Sequence, residues 1–397
     1  MIELLAPAGN LDKLKIALMY GADAVFIGGQ NFSLRARASN FTIDDILEAT
    51  TFAHERGKKV YITTNIIPHN EDLEGVIDYL KDLESVHVDA IISASPYIID
   101  MALKHTNLEV HLSTQQSAYN SEAVNYWYDK GVKRIVLARE LDKFQIDHLS
   151  KHTKADIEVF IHGGMCMSFS GRCSLSDNMT DRDANRGGCA HSCRWNYELT
   201  DEGKTVNDAY FSMSSKDLEA IHQVPYLIDS GVSSLKIEGR MKSVHYIATV
   251  VSTYRKLIDD YIAMGDIKDY ELYEKEMKKA ENRLSSIGYL EGMPGVEQQL
   301  YGMRSEKPSQ LFIGFGLDYD PNEKVAIIEQ RNHFKIGDEI EVHNPSGKHF
   351  FFKLTHMTDE DGNLLEVARH PKQILKVKVP DAVEPYAMIR RNMPSTL

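Results

Sequence analysis

Outside residues 166–193 this 397-residue chain has no cysteine. It has no run of about 18 apolar residues, so no segment is expected to span a membrane. The N-terminal stretch MIELLAPAGNLDKLKIALMYGADAV lacks a basic region followed by an apolar one. No secretory signal is therefore expected, and the chain is assigned to the cytoplasm. No G-x-G-x-x-G follows the first expected strand, which leaves a dinucleotide fold without direct support. There is no G-x-S-x-G elbow either, and the near-match to H-E-x-x-H at His54–Lys58 lacks its second histidine. A net charge of −13 argues against broad, nonspecific nucleic-acid binding while leaving room for a local basic face. Ordinary hydrophobic content and the absence of low-complexity tracts indicate a fully folded protein.

What the chain does contain is one tight set of thiols. Cys166, Cys173, Cys189 and Cys193 follow the spacing C-x6-C-x15-C-x3-C. Four thiolates suit a cubane iron–sulfur cluster or a structural zinc. In the cytoplasm disulfides are the weakest reading. Zinc favours close pairs, and Cys189 with Cys193 is the one pair that fits. The looser spacing favours iron–sulfur, and zinc stays open. The radical-SAM pattern C-x3-C-x2-C is absent.

Short β-branched runs alternate with amphipathic stretches through residue 240. Strands are expected at Glu3–Ala6, Ala24–Ile27, Lys59–Thr63, Ala90–Ala94, Val110–Ser113, Arg134–Ala138, Ile157–His162 and Ser234–Glu238. Eight strands each followed by a helix predict an α/β fold, a (β/α)8 TIM-like barrel over residues 1–242. The cysteines fall in a long insertion, at about 163–215, between the seventh and eighth strands, over the expected active-site face. Residues 243–306 read as a helical extension, with Ile247, Val250, Val251, Tyr254, Leu257 and Ile258 on one face. Residues 307–397 read as a small C-terminal β-barrel of five or six strands. This last part carries 11 Lys+Arg against 13 Asp+Glu, so nearly all the acidity lies upstream. Its basic cluster, Arg369, His370, Lys372, Lys376 and Lys378, with Arg390 and Arg391 beyond, reads first as a solvated face.

Period two along the last barrel strand puts Lys236, Glu238 and Arg240 on the inward face. The same alternation turns His111, Ser113 and Gln115 inward on the fifth strand, and Glu158, Phe160 and His162 on the seventh. Asn65 ends the third strand, and Arg139 with Glu140 ends the sixth. Converging polar strand ends at a barrel mouth make a candidate pocket. A bland alternative is that the charges pair among themselves, Lys236 with Glu238. Arg35 and Arg37 precede the second helix and suit a small carboxylate or phosphate, or else a solvated loop. Around the cysteines, Arg172, Arg182, Arg186, His191 and Arg194 stand beside Trp195 and Tyr197. Guanidinium groups mixed with aromatic rings fit single-stranded RNA, although Trp195 could equally shield a metal from water.

The segment EVFIHGGMCMSFSGRCSLS, residues 158–176, resembles the signature of the collagenase-like peptidase family of uncharacterised catalytic type. PAGN (7–10), ARASNF (36–41), STQQS (113–117), ARE (138–140), RGGCAHSCRWNY (186–197), SMSSKDL (212–218) and LKIEGRMKS (235–243) extend the resemblance over the barrel and insertion. The branch this chain is similar to implies tRNA hydroxylation, converting the wobble uridine to 5-hydroxyuridine. It also implies a [4Fe–4S] cluster on Cys166, Cys173, Cys189 and Cys193, and dependence on prephenate or a related dicarboxylate.

The expectation is an enzyme that takes the tRNA anticodon loop, with a paralogous partner subunit allowed. Arg37, Arg139, Arg240, Gln115 and Lys236 would hold the small substrate, with Lys236, Glu238 and His162 as catalytic candidates. Arg172, Arg194 and Trp195 would meet RNA. The rivals are a collagenase-like peptidase, and a noncatalytic RNA-binding protein with a structural zinc.

Overall fold

A computed structural model describes residues 2–34, 40–202, 204–206, 210–280, 283–300 and 309–392. Eight parallel strands form its centre: β1 (Glu3–Pro7), β2 (Ala24–Gly28), β3 (Lys59–Thr64), β4 (Ala90–Ser93), β5 (Glu109–Leu112), β6 (Arg134–Val136), β7 (Asp156–Gly163) and β8 (Ser234–Ile237). Each pairs with the next, and β8 pairs with both β7 and β1, which closes the barrel. All eight strands stand where the alternating runs predict them, and the α/β TIM-like expectation holds. Closure buries both faces of every strand. Outward residues such as Leu4, Val25, Ile62 and Leu112 join the core under the helices, while Leu5, Ala24, Phe26, Tyr61, Ala90 and Ile92 form a separate interior plug.

The helices start where short polar side chains can cap them. Asn10 accepts from the Lys13 amide at the head of α1 (Leu11–Met19). Thr42 and Asp45 form a reciprocal capping box on α2 (Ile43–His54). Ser95 and Pro96 open α3 (Pro96–His105), and Asp142 with Gln145 boxes α4 (Lys143–His152). These residues satisfy amide donors that a helix leaves unpaired at its start. Ser243 caps α5 (Val244–Met264), which packs on β1 and α1. The helix read from sequence as the start of an extension thus closes the outer ring of the barrel. Its apolar face reaches the core because β8 delivers it beside β1.

Beyond residue 308 the chain forms an antiparallel sheet of seven strands. In sheet order these are His349–Lys353, Glu339–His343, Met388–Asn392, Gln310–Asp320, Val325–Gln330, Ile374–Lys378 and Met357–Thr358. A separate ribbon pairs Phe334–Lys335 with Val367–Ala368. Ile313, Ile328, Val342, Leu375 and Val377 make its core. In place of the expected small β-barrel of five or six strands, the described residues form an open sheet whose outermost strands, His349–Lys353 and Met357–Thr358, do not pair with each other, beside the two-stranded ribbon. Arg390 is not solvated with the rest of the basic tail. It is fully buried, with Nη1 2.9 Å from Glu276 Oε1 and Nη2 2.8 Å from Glu341 Oε1.

Candidate functional site

The floor of the barrel is an ionic lattice. Lys236 Nζ donates to Glu158 Oε1 at 2.7 Å, and Arg134 Nη1 lies 3.4 Å from the other oxygen. Arg134 also pairs with Glu3, which accepts from Tyr61 Oη (2.6 Å) and Ser234 Oγ (2.8 Å). Burial alone would push the Glu158 carboxyl up, but Lys236 and then Arg134 overcome it and hold the group below the usual carboxylate range. The partner of Lys236 is therefore Glu158 on the neighbouring strand, not Glu238. Its ammonium also stands 4.5 Å from the centre of the Phe26 ring.

Above this floor opens a cavity of about 930 Å³. Lys236, Glu238 and Arg240 all border it, as period two along β8 predicts. Arg240 crosses the mouth, with Nη1 3.2 Å from Ser33 Oγ and from the Leu34 carbonyl, and Nη2 3.2 Å from Asn40 Oδ1. A Cβ on Gly28 would come within 2.1 Å of that guanidinium, so the absent side chain makes the crossing possible. Arg139 also borders the cavity; its Cζ stands 3.6 Å over the centre of the Phe160 ring, and it donates to the Gly164 carbonyl at 2.6 Å. Gln115 also borders the cavity, but its oxygen is filled by Ser113 Oγ (2.8 Å) and Asn65 Nδ2 (3.0 Å). It serves as a braced wall. Arg37 and Arg35 lie outside the described residues.

His162 departs from the alternation. The β7–β8 register pairs Phe160 with Lys236 but His162 with Ile237, leaving Ile161 as an extra residue. Such a bulge reverses the face presented by the residues beyond it. His162 consequently turns toward α5, where Nδ1 lies 3.2 Å from Tyr254 Oη, and it does not line the cavity. Burial, then the charge of Lys242, lowers its pKa to about 3, so the ring is neutral. Gly163, just beyond, has φ +101°, and a Cβ there would sit 2.2 Å from the Glu238 carbonyl. This close approach seats Glu238 at the cavity edge.

The insertion forms the roof. Glu140 at the end of β6 accepts from the Ser170 amide and from Ser170 Oγ (3.0 Å). Asn185 bonds both backbone groups of Cys173, and Arg186 reaches Asp72 at 2.7 Å on the loop after β3. These ties bring Cys166, Cys173, Cys189 and Cys193 to the same cavity wall. Cys166 and Cys189 are exposed, and the other two are half-buried. Burial pushes the Cys193 thiol up; Arg194 offsets part of this, and each of the other three cysteines raises it further. Arg194 borders the cavity, whereas Arg172 and Trp195 (41% exposed) stand on the outer surface of the insertion.

Among the described residues, seven Lys or Arg side chains and three Asp or Glu side chains border this space. In a chain of net charge −13 that is a local reversal of sign, suited to an anionic ligand. Four of these bordering residues were not singled out from sequence: Lys13, Asp217, Lys242 and Arg283. Asp217 and Lys242 sit inside the blocks SMSSKDL and LKIEGRMKS, which carried the signal. Lys13 and Arg283 had no local mark. Arg283 arrives from beyond the barrel, its Nη1 3.3 Å from Asp217.

Comparison with known proteins agrees with this architecture. Residues 9–300 match the family described as "Peptidase family U32", and residues 308–390 match "Peptidase family U32 C-terminal domain". The chain is 49% identical over 400 residues to "tRNA hydroxylation protein P1" of Bacillus subtilis, covering 98% of this chain and 94% of that one. It is 40% identical over 268 residues to "23S rRNA 5-hydroxycytidine C2501 synthase" of Escherichia coli, covering 67% and 41%. It is 32% identical over 362 residues to "Collagenase" of Porphyromonas gingivalis, covering 87% of each. The closed barrel, the four-cysteine roof and the appended β-sheet domain are those of a member of peptidase family U32, and the chain belongs to that family.

Proposed function

We propose that this chain is an RNA-hydroxylating enzyme, and that its substrate is the wobble uridine of tRNA, converted at C5 to 5-hydroxyuridine. The observation that carries the reading is that all four cysteines and the excess of cationic side chains face one cavity. The names of two relatives, a tRNA hydroxylation protein and an rRNA hydroxycytidine synthase, support the reaction class.

Cys166, Cys173, Cys189 and Cys193 would hold a [4Fe–4S] cluster, which would carry electrons one at a time; hydroxylation at C5 is a two-electron oxidation, so its oxygen atom and an electron acceptor come from a co-reactant outside the chain. The donor set fits. Four thiols converge on one cavity wall, the number of thiolates that such a cluster takes.

Arg139 and Arg240 would clamp a dicarboxylate cosubstrate of the prephenate type, with Lys236 beneath it; that all three border the cavity supports this reading. Ser33, Leu34 and Asn40 orient the Arg240 fork before the ligand arrives, which reduces the ordering cost of binding. Glu238, at the edge of the same space, is the side chain in reach for proton transfer at the uridine ring. His162 is too enclosed for that role. On the outer surface Arg172 and Trp195 would receive the anticodon loop, and Phe169, 60% exposed at the rim, offers a ring for base stacking.

The test is nucleoside mass spectrometry of tRNA from a strain lacking this gene and any paralogue. The reading expects 5-hydroxyuridine and its derivatives to vanish, and to return with the wild-type chain but not with Cys193→Ser or Arg139→Met. Undiminished 5-hydroxyuridine in that strain removes the proposal. The collagenase name among the relatives favours a second reading, peptide hydrolysis. Cleavage of gelatin by the purified chain, abolished by Cys193→Ser, would establish it instead. A colourless, zinc-loaded protein after anaerobic purification would favour the noncatalytic zinc reading.

A further inference from the structure

Far from the cysteines, at the seam between the barrel and the C-terminal sheet, one histidine has no explanation in the fold. His343 is 1% exposed, and neither ring nitrogen has a hydrogen-bond partner. A neutral imidazole carries one N–H donor and one lone pair, so this ring buries both unsatisfied. Buried polar groups without partners are rare and costly enough to call for a cause, an ion among them. The ring is not loosely placed. Its own backbone carbonyl accepts from Tyr20 Oη at 2.7 Å, and the Tyr20 ring meets it edge-on at 4.9 Å.

Directly across the antiparallel pair from His343 stands His349, its ring stacked at 4.0 Å between centres. Glu276, on the helix Glu271–Met277, brings Oε1 to 4.0 Å from His343 Nδ1, too long for a hydrogen bond. One donor atom from each of these three residues lies within 4.8 Å of the others. We propose that Glu276, His343 and His349 form a binding site for one divalent transition-metal ion of the zinc class, which links the helix of residues 271–277 to the C-terminal sheet.

Two imidazoles and a carboxylate are a donor set that zinc accepts. His349 Nδ1 lies 3.0 Å from Glu341 Oε1, the kind of carboxylate contact that orients a ligating imidazole. His349 is exposed, which gives an ion a path in. The surrounding charges are balanced. Arg390 contacts Glu276 (2.9 Å) and Glu341 (2.8 Å), and Lys279 contacts Glu276 (2.6 Å) and Glu341 (2.9 Å). The ion thus joins two carboxylates that two cations have neutralised, and the stacked rings must splay to share it. Moderate rather than extreme affinity is the consequence. The site stands independently of the reaction proposed for the cavity.

The test uses the full-length chain with its four thiols alkylated, so that no thiolate competes. CoCl2 and then ZnCl2 are titrated, with calorimetry and the cobalt absorption spectrum as readouts. One ion per chain is expected, with weak d–d bands and no thiolate charge-transfer band, together with a rise in melting temperature. His349→Asn, on an exposed position of the edge strand, should weaken binding about 100-fold and abolish the rise. His343→Asn should do the same. If His343→Asn fails to fold, His349→Asn alone decides. Absence of binding, or binding unchanged in His349→Asn, would overturn the proposal.

Discussion

Glu158 carries more than its share of the barrel interior, because Lys236 and Arg134 both depend on it. Removing one partner of a buried ion pair strands the other charge at a cost of about 3–5 kcal/mol. Glu158→Gln strands Lys236, while Arg134 keeps Glu3, and urea denaturation should show a loss of that order. His162 and His245, a buried residue in the first turn of α5, predict an acid limit. Burial lowers each folded-state pKa from 6.5 to about 3. Between those values the unfolded chain takes up the proton and the native one does not. Their contribution is complete above about pH 6.5 and falls as the pH drops, by about 1.4 kcal/mol per pH unit for each ring. Stability measured from pH 7 to pH 4 should fall with this slope, and His162→Gln should flatten it. An unchanged slope in that variant would place the proton uptake elsewhere.

At the scale of elements, the bulge at Ile161 and the turn at Gly163 decide what the end of β7 presents. Gly163→Ala forces a positive φ on a residue with a side chain and drives its Cβ against the Glu238 carbonyl. The strained backbone alone costs about 1–3 kcal/mol, and Glu238 must move away from the cavity edge. A lowered melting temperature together with loss of the proposed tRNA modification is expected, the second larger than stability alone explains. The roof depends on a different contact. Glu140→Ala removes both bonds to Ser170 and frees the turn after Cys166. The barrel should unfold normally in this variant, while limited proteolysis cuts the insertion faster and the modification falls.

For the whole molecule, the seam between barrel and sheet domain turns on Tyr20. Its hydroxyl donates to the His343 carbonyl, lies 3.1 Å from that of Tyr386, and accepts from the Met388 amide at 3.0 Å. Tyr20→Phe leaves these backbone groups short of a partner in a buried place, at about 1–3 kcal/mol. The expected outcome is faster proteolytic separation of the C-terminal sheet domain, with the barrel core retained. Cutting at the wild-type rate would show that the other seam contacts, Arg390 with Glu276 and Lys279 with Glu341 among them, hold the domains together without the Tyr20 hydroxyl.

The eight strands, their helices, the clustered thiols and the inward charges of β8 were determined by the sequence itself. They rest on local rules: alternation of side chains, caps at helix starts, and the separation of the cysteines along the chain. The tertiary structure alone decided the rest. Lys236 chose Glu158 because strand order puts β7 beside β8, and pairing between strands is not written in either one. His162 left the inward face because a bulge depends on two strands at once. Arg283 entered the cavity wall, and Arg390 left the solvent, through contacts with residues 66 and 114 positions away. Period and composition carry no distance of that length; only closing the barrel and docking the sheet bring such groups together.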